Sequence, residues 1–169
     1  MRKNATITIY KKAVLASIDS QTFKRVDGVL STESDQMKNA LSSDSEENLD
    51  KHILHEHMEQ RDASIRKRIT FCLVPEDDDL SASNLLEVDV PTFEYKLTVP
   101  ENFDKQRLKV LAKKMHNYIV QGSLHDWYAT QNMKGNVSEA ELDDMESEIV
   151  CMLRSSFVKR PLQPFGPQN

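Results

Sequence analysis

The sequence predicts an α+β fold that is mainly α: four helices, the last two forming a C-terminal helical hairpin, with a small strand element and an extended C-terminal arm. Three observations predict it. Residues 104–157 hold two amphipathic stretches, each preceded by a legible helix start. Residues 93–99 alternate apolar with polar side chains, the period of a half-buried strand. Beyond Phe157, Pro161, Pro164 and Pro167 remove amide donors and fix φ, which rules out helix and central strand alike. At 169 residues the chain is long enough for one core of ordinary size. That core is expected over residues 46–157, with a basic N-terminal helical arm at 1–28, a connector at 29–45 and the C-terminal arm at 158–169.

Near the N-terminus Val14, Leu15, Ile18, Thr22 and Val26 recur at helical spacing ahead of Gly28, so a helix is expected from about Ile9 to Arg25. Residues 29–45 are rich in Ser, Asp and Asn and read as the connector. Ser43 and Glu46 have the spacing of a capping box before a long helix with a thin stripe, Ile53, Leu54, Met58, Ile65 and Ile69, suited to one packing neighbour. The β-branched and aromatic run from Ile69 to Val74, ended by Pro75, reads as a short strand or as the last buried helical turn, the strand being favoured.

Two alternating runs follow. Leu86, Val88 and Val90 are apolar before Pro91, but Phe93, Tyr95, Leu97 and Val99 after it. The shift from even to odd positions turns the pleat over at Pro91, which implies a kink on an edge strand. Asp104 then has the position of an N-cap for a helix whose apolar face comprises Leu108, Leu111, Met115, Tyr118, Ile119 and Leu124 and reaches Trp127 and Tyr128. Ser138 and Glu141 form a second capping box, with Val137 facing Leu142 as a staple. Leu142, Met145, Ile149, Met152 and Ser156 give the last helix a seam for antiparallel packing. Leu111, Tyr118, Trp127 and Ile149 are the expected core of this hairpin.

Composition narrows the function classes. No apolar run approaches the roughly 18 residues that span a bilayer, and the N-terminus has no leader-like apolar block, so neither a membrane nor export is expected. Cys72 and Cys151 are too few for a disulfide framework and suit a reducing compartment. The net charge of −5 divides into +5 over residues 1–25 and −10 over the remainder, so the body is expected to be acidic and a poor grip for nucleic acid.

No catalytic residue, metal site or cofactor is expected. His52, His55 and His57 lack the i, i+4 spacing that brings two imidazoles to one metal. Glu76, Asp77, Asp78 and Asp79 lack the alternation and closing glutamate of a calcium loop. The acids of residues 139–148 largely complement a helix dipole. With four glycines in all and no nucleophile elbow or phosphate loop, the chain is expected to act by docking rather than by catalysis. Its C-terminal arm carries apolar anchors, Leu162 and Phe165, on a stiff backbone that loses little entropy on docking.

The segment YKLTVPENFDKQRLKVLAKKMHNYIVQGSLHDWYATQ, a second helix and the terminal VKRPLQPF together resemble the C-terminal half of small neck proteins of tailed phages that infect Bacteroides-type bacteria, including crAss-like phages. The resemblance covers about the last 75 residues. It implies a head-to-tail connector of the adaptor or stopper kind in the virion, made in the host cytoplasm and forming a ring, commonly dodecameric, beneath the portal, through which DNA passes without sequence-specific binding. It further implies that Asp126, Trp127 and Tyr128 are packing positions and that Arg160, Pro161, Leu162, Pro164 and Phe165 reach a neighbouring subunit, the portal or another neck or tail protein. An edge strand through Phe93, Tyr95 and Leu97 suits pairing between subunits. The second reading is a small cytosolic regulator whose basic N-terminal arm binds DNA or an acidic partner.

Overall fold

The computed structural model describes residues 2–26, 49–75, 90–132, 135 and 137–157. The connector, the acidic run at 76–79, the alternating residues 85–89 and the C-terminal arm with Arg160, Pro161, Leu162, Pro164 and Phe165 lie outside these residues. Strand β1 (Arg2–Tyr10) leads directly into helix α1 (Lys11–Val26). Helix α2 (Leu49–Ile69) runs into a 3-10 turn at Thr70–Cys72. Strand β2 (Thr92–Pro100), helix α3 (Lys105–Thr130) and helix α4 (Glu139–Phe157) complete an α+β fold that is mainly α, with four helices and a two-stranded sheet among the described residues.

β1 and β2 pair antiparallel over their full length, from Arg2 opposite Pro100 to Tyr10 opposite Thr92. Residues 2–10 are thus part of the fold and not a helical arm; the helix begins at Lys11, two residues later than the apolar spacing suggests. Short alternation in TITIY is the reason, because it matches a strand partner some ninety residues away. Ile7, Ile9, Phe93, Tyr95, Leu97 and Val99 point into the core, while Thr6, Thr8, Glu94 and Lys96 face solvent.

Helix α3 is the centre of the molecule. Asp104 caps it, its carboxylate accepting the Arg107 amide at 2.7 Å, and Leu111, Met115, Tyr118, Ile119, Leu124, Trp127 and Tyr128 are buried along it. α2, α4 and α1 pack around it. The capping box of α4 is complete: the Ser138 amide donates to Glu141 Oε2 at 2.8 Å and the Glu141 amide to Ser138 Oγ at 3.3 Å. Leu142, Ile149 and Leu153 are buried, and Met145 and Met152 are partly buried against the same core, so the expected seam is joined by Leu153, one turn beyond Ile149.

Residues 70–74 do not form a strand. Thr70 Oγ1 donates back to the Arg66 and Lys67 carbonyls and Cys72 Sγ to the Ile69 carbonyl, so the end of α2 tightens into a 3-10 turn before the chain extends. Leu73 then bridges to Leu97 and the Val74 amide donates to the Lys96 carbonyl at 2.8 Å.

Candidate assembly interface

The pairing phase of the sheet decides which edge is available. The Lys11 amide donates to the Pro91 carbonyl at 2.9 Å, in register with the ladder, so the positions that exchange hydrogen bonds across it are Ile9 with Phe93, Ile7 with Tyr95, Ala5 with Leu97 and Lys3 with Val99. Asn4, Thr6 and Thr8 therefore turn their amides and carbonyls to the outer side of β1. On β2 the alternate residues turn outward the other way, and there the Lys96 carbonyl accepts Val74 N–H and the Glu94 carbonyl accepts Arg66 Nη2 at 2.9 Å.

Phe93, Tyr95 and Leu97 are consequently not an edge for a neighbouring subunit. Their backbones pair with β1 and their side chains are buried, while on the far side of β2 the Lys96 carbonyl is taken by Val74 and the Glu94 carbonyl by Arg66. On β1 no backbone bond satisfies the outer groups of Asn4, Thr6 and Thr8 among the described residues. Three such residues in a row form a template for strand addition. Tyr10, 61 % exposed, stands at its end.

Behind this edge the polar groups of the helices are used inside the molecule. Arg61 of α2 forms a fork onto Asp126 of α3, Nε to Oδ2 at 2.7 Å and Nη2 to Oδ1 at 2.5 Å. His125 Nδ1 lies 3.3 Å from Asp126 Oδ1 and 3.6 Å from Glu139 Oε2, and Arg61 Nη2 lies 3.7 Å from the same Glu139 oxygen. The cluster ties α2, α3 and the first turn of α4 together. Burial acts to raise the Asp126 carboxyl, but the Arg61 fork and charge outweigh it and hold it below the ordinary carboxylate value.

Two further clusters have the same character. Buried Asp62 receives the Tyr95 hydroxyl and Arg66 Nε, the latter at 2.6 Å, and burial followed by the Asp62 charge pushes the Tyr95 phenol well above its usual value. Buried Glu146 accepts Ser64 Oγ at 2.7 Å and lies 3.3 Å from Arg68 Nε. Lys11, counted in the basic arm, is buried against Glu59 and stacks over Phe93 at 4.8 Å, so it is committed to the fold. None of these clusters was legible in the sequence, because each joins residues 30 or more positions apart on different elements.

Leu111, Tyr118, Trp127 and Ile149 are buried, with Trp127 edge-on to Tyr128 at 5.4 Å. Asp126, which the resemblance gives as a packing position, is the ion-pair partner of Arg61. His52, His55 and His57 stand along α2, and among the described residues no group of three His, Cys, Asp or Glu side chains could hold a metal ion. No described helix is long and apolar enough to cross a membrane.

The acidic balance of the chain after residue 25 is unevenly placed along the sequence. The described residues carry eighteen Lys and Arg against fifteen Asp and Glu, a net +3. The acidic excess belongs to residues 27–48 and 76–89, at −5 and −6. Comparison with family models, with curated proteins and with solved structures finds no match for this chain.

Proposed function

We propose that this chain is a non-catalytic structural subunit of a phage virion, joining copies of itself into a ring at the head-to-tail connection and docking on the portal and other neck or tail proteins. The observation that carries the reading is the outer edge of β1: Asn4, Thr6 and Thr8 present backbone groups that no bond among the described residues satisfies, on a body whose buried ion pairs are closed within the chain. Such a body supports recognition through main-chain pairing. The resemblance of residues 95–165 to phage neck proteins gives that recognition its setting, and residues 160–165 are proposed to reach a neighbouring protein.

The test is assembly. The Thr6→Pro chain loses an outward amide without losing a β1–β2 bond, so it should fold and fail to form rings, alone or on a portal template. Rings from Thr6→Pro indistinguishable from wild type would contradict the reading.

A further inference from the structure

The first nine residues of α3 carry Lys105, Arg107, Lys109 and Lys113, all exposed and without an ion pair among the described residues, whereas the neighbouring Lys114 pairs with Glu148. Lys105, Lys109 and Lys113 repeat every four residues, about 6 Å apart along the axis, and fall on the half of the helix opposite Leu111, Met115 and Tyr118. They stand at the positive end of the helix dipole, and the first turn has no acid to offset them. Helix stability does not ask for this arrangement, and the N-cap Asp104 sets a single carboxylate against the four cations.

A second element extends the patch. Ser17 Oγ lies 3.1 Å from His116 Nε2 and Gln121 Nε2 donates to Gln21 Oε1 at 2.8 Å, so α1 and α3 run side by side in the same chain direction. That register brings exposed Lys12 back to the level of Lys109 and Lys113. The acid next to them in the chain, Asp104, is the N-cap and accepts the Arg107 amide. Val110, 47 % exposed, is the one large apolar side chain exposed on this face among the described residues, too little for the apolar centre of a protein interface. A row of cations without apolar anchors matches a phosphate backbone instead.

We propose that the solvent face of α3, centred on Lys105, Lys109 and Lys113 with Lys12 beside it, contacts the backbone phosphates of duplex DNA. Contact is independent of base sequence, because the lysines supply charge and no paired acceptor and donor for base edges. The inference rests on the connector reading for the source of the duplex, which would be the genome passing the ring, and it gives that reading a DNA-facing surface.

The experiment is fluorescence anisotropy of a labelled 20-base-pair duplex with the full chain across a salt series. Four phosphate contacts give a log–log salt slope of about −3.6. The triple variant K105Q/K109Q/K113Q should keep the wild-type melting temperature, reduce the slope by about 2.7 and weaken binding more than about 100-fold at 50 mM salt. No anisotropy change with the wild-type chain at 25 mM salt, or an unchanged slope in the triple variant, would overturn the proposal. So would displacement of the duplex by polyglutamate at equal charge, which would identify the face as a site for acidic protein segments. Ring formation is scored separately by particle mass: rings without DNA binding sink this inference alone, and DNA binding by a chain that never assembles sinks the connector reading alone.

Discussion

Arg61 grips Asp126 with two parallel hydrogen bonds while its aliphatic stem lies directly on Gly122, one turn earlier on the same helix. A Cβ at position 122 would stand 2.7 Å from Arg61 Cδ and 2.8 Å from Nε, so the glycine is what lets α2 approach α3 closely enough for the fork to close. Specificity of this kind is geometric, since a lysine could supply the charge but not the fork.

The first prediction follows from that contact. In an ordinary helix interior Gly→Ala stabilises by about 1 kcal/mol, whereas Gly122→Ala should destabilise by about 1–2 kcal/mol because Arg61 must leave its position. Arg61→Ala alone should cost about 2–3 kcal/mol, the partly exposed pair being worth less than a fully buried one. In the Arg61→Ala background Gly122→Ala should become neutral or stabilising. Urea denaturation of the four chains measures the coupling.

Stability should depend on pH in two separate steps. Burial, aided by Lys11 and His52, holds the His55 imidazole below its usual value, and burial does the same for His116. Below pH about 6.5 the unfolded chain therefore binds protons that the folded chain does not, and stability falls as pH drops through that value. Asp126, also held below its ordinary value, contributes stability that is present above about pH 4 and is lost beneath it. Melting temperatures measured from pH 8 to 3 should show both declines, and the chain with His55→Gln and His116→Gln should keep only the second.

The two cysteines should differ sharply in reactivity. Cys72 is buried and burial pushes its thiol up to about 11, while Cys151 is exposed on α4. A thiol reagent at neutral pH should label one group within minutes in the native chain and the second only on unfolding, and Cys151→Ser should abolish the fast phase.

What the sequence reveals is what neighbours in the chain decide. The Asp104 cap and the Ser138–Glu141 box are readable because each closes within three residues, and the apolar face of α3 is readable because one helix carries it. β1 is harder to read: TITIY is short, and only its pairing with β2 distinguishes it from the first turns of α1. Alternation in Phe93, Tyr95 and Leu97 reports a half-buried strand without saying which strands flank it, so the sequence alone does not distinguish their inward pairing with β1 from an open edge. Residues 70–74 have strand composition, yet Thr70 and Cys72 continue the winding of α2 through their own side chains. The Arg61–Asp126 fork left no signal, since a single Gly122 in an amphipathic helix does not announce its partner 61 residues earlier.

The outer edge of β1 is proposed to build an assembly. Particle mass in solution with negative-stain imaging, for wild type and Thr6→Pro side by side and with a portal ring added, tests it most directly. Rings of fixed copy number are expected for wild type, and for Thr6→Pro a monomer with an unchanged melting temperature. A wild-type chain that stays monomeric under both conditions, or a Thr6→Pro chain that forms the same rings, would contradict it.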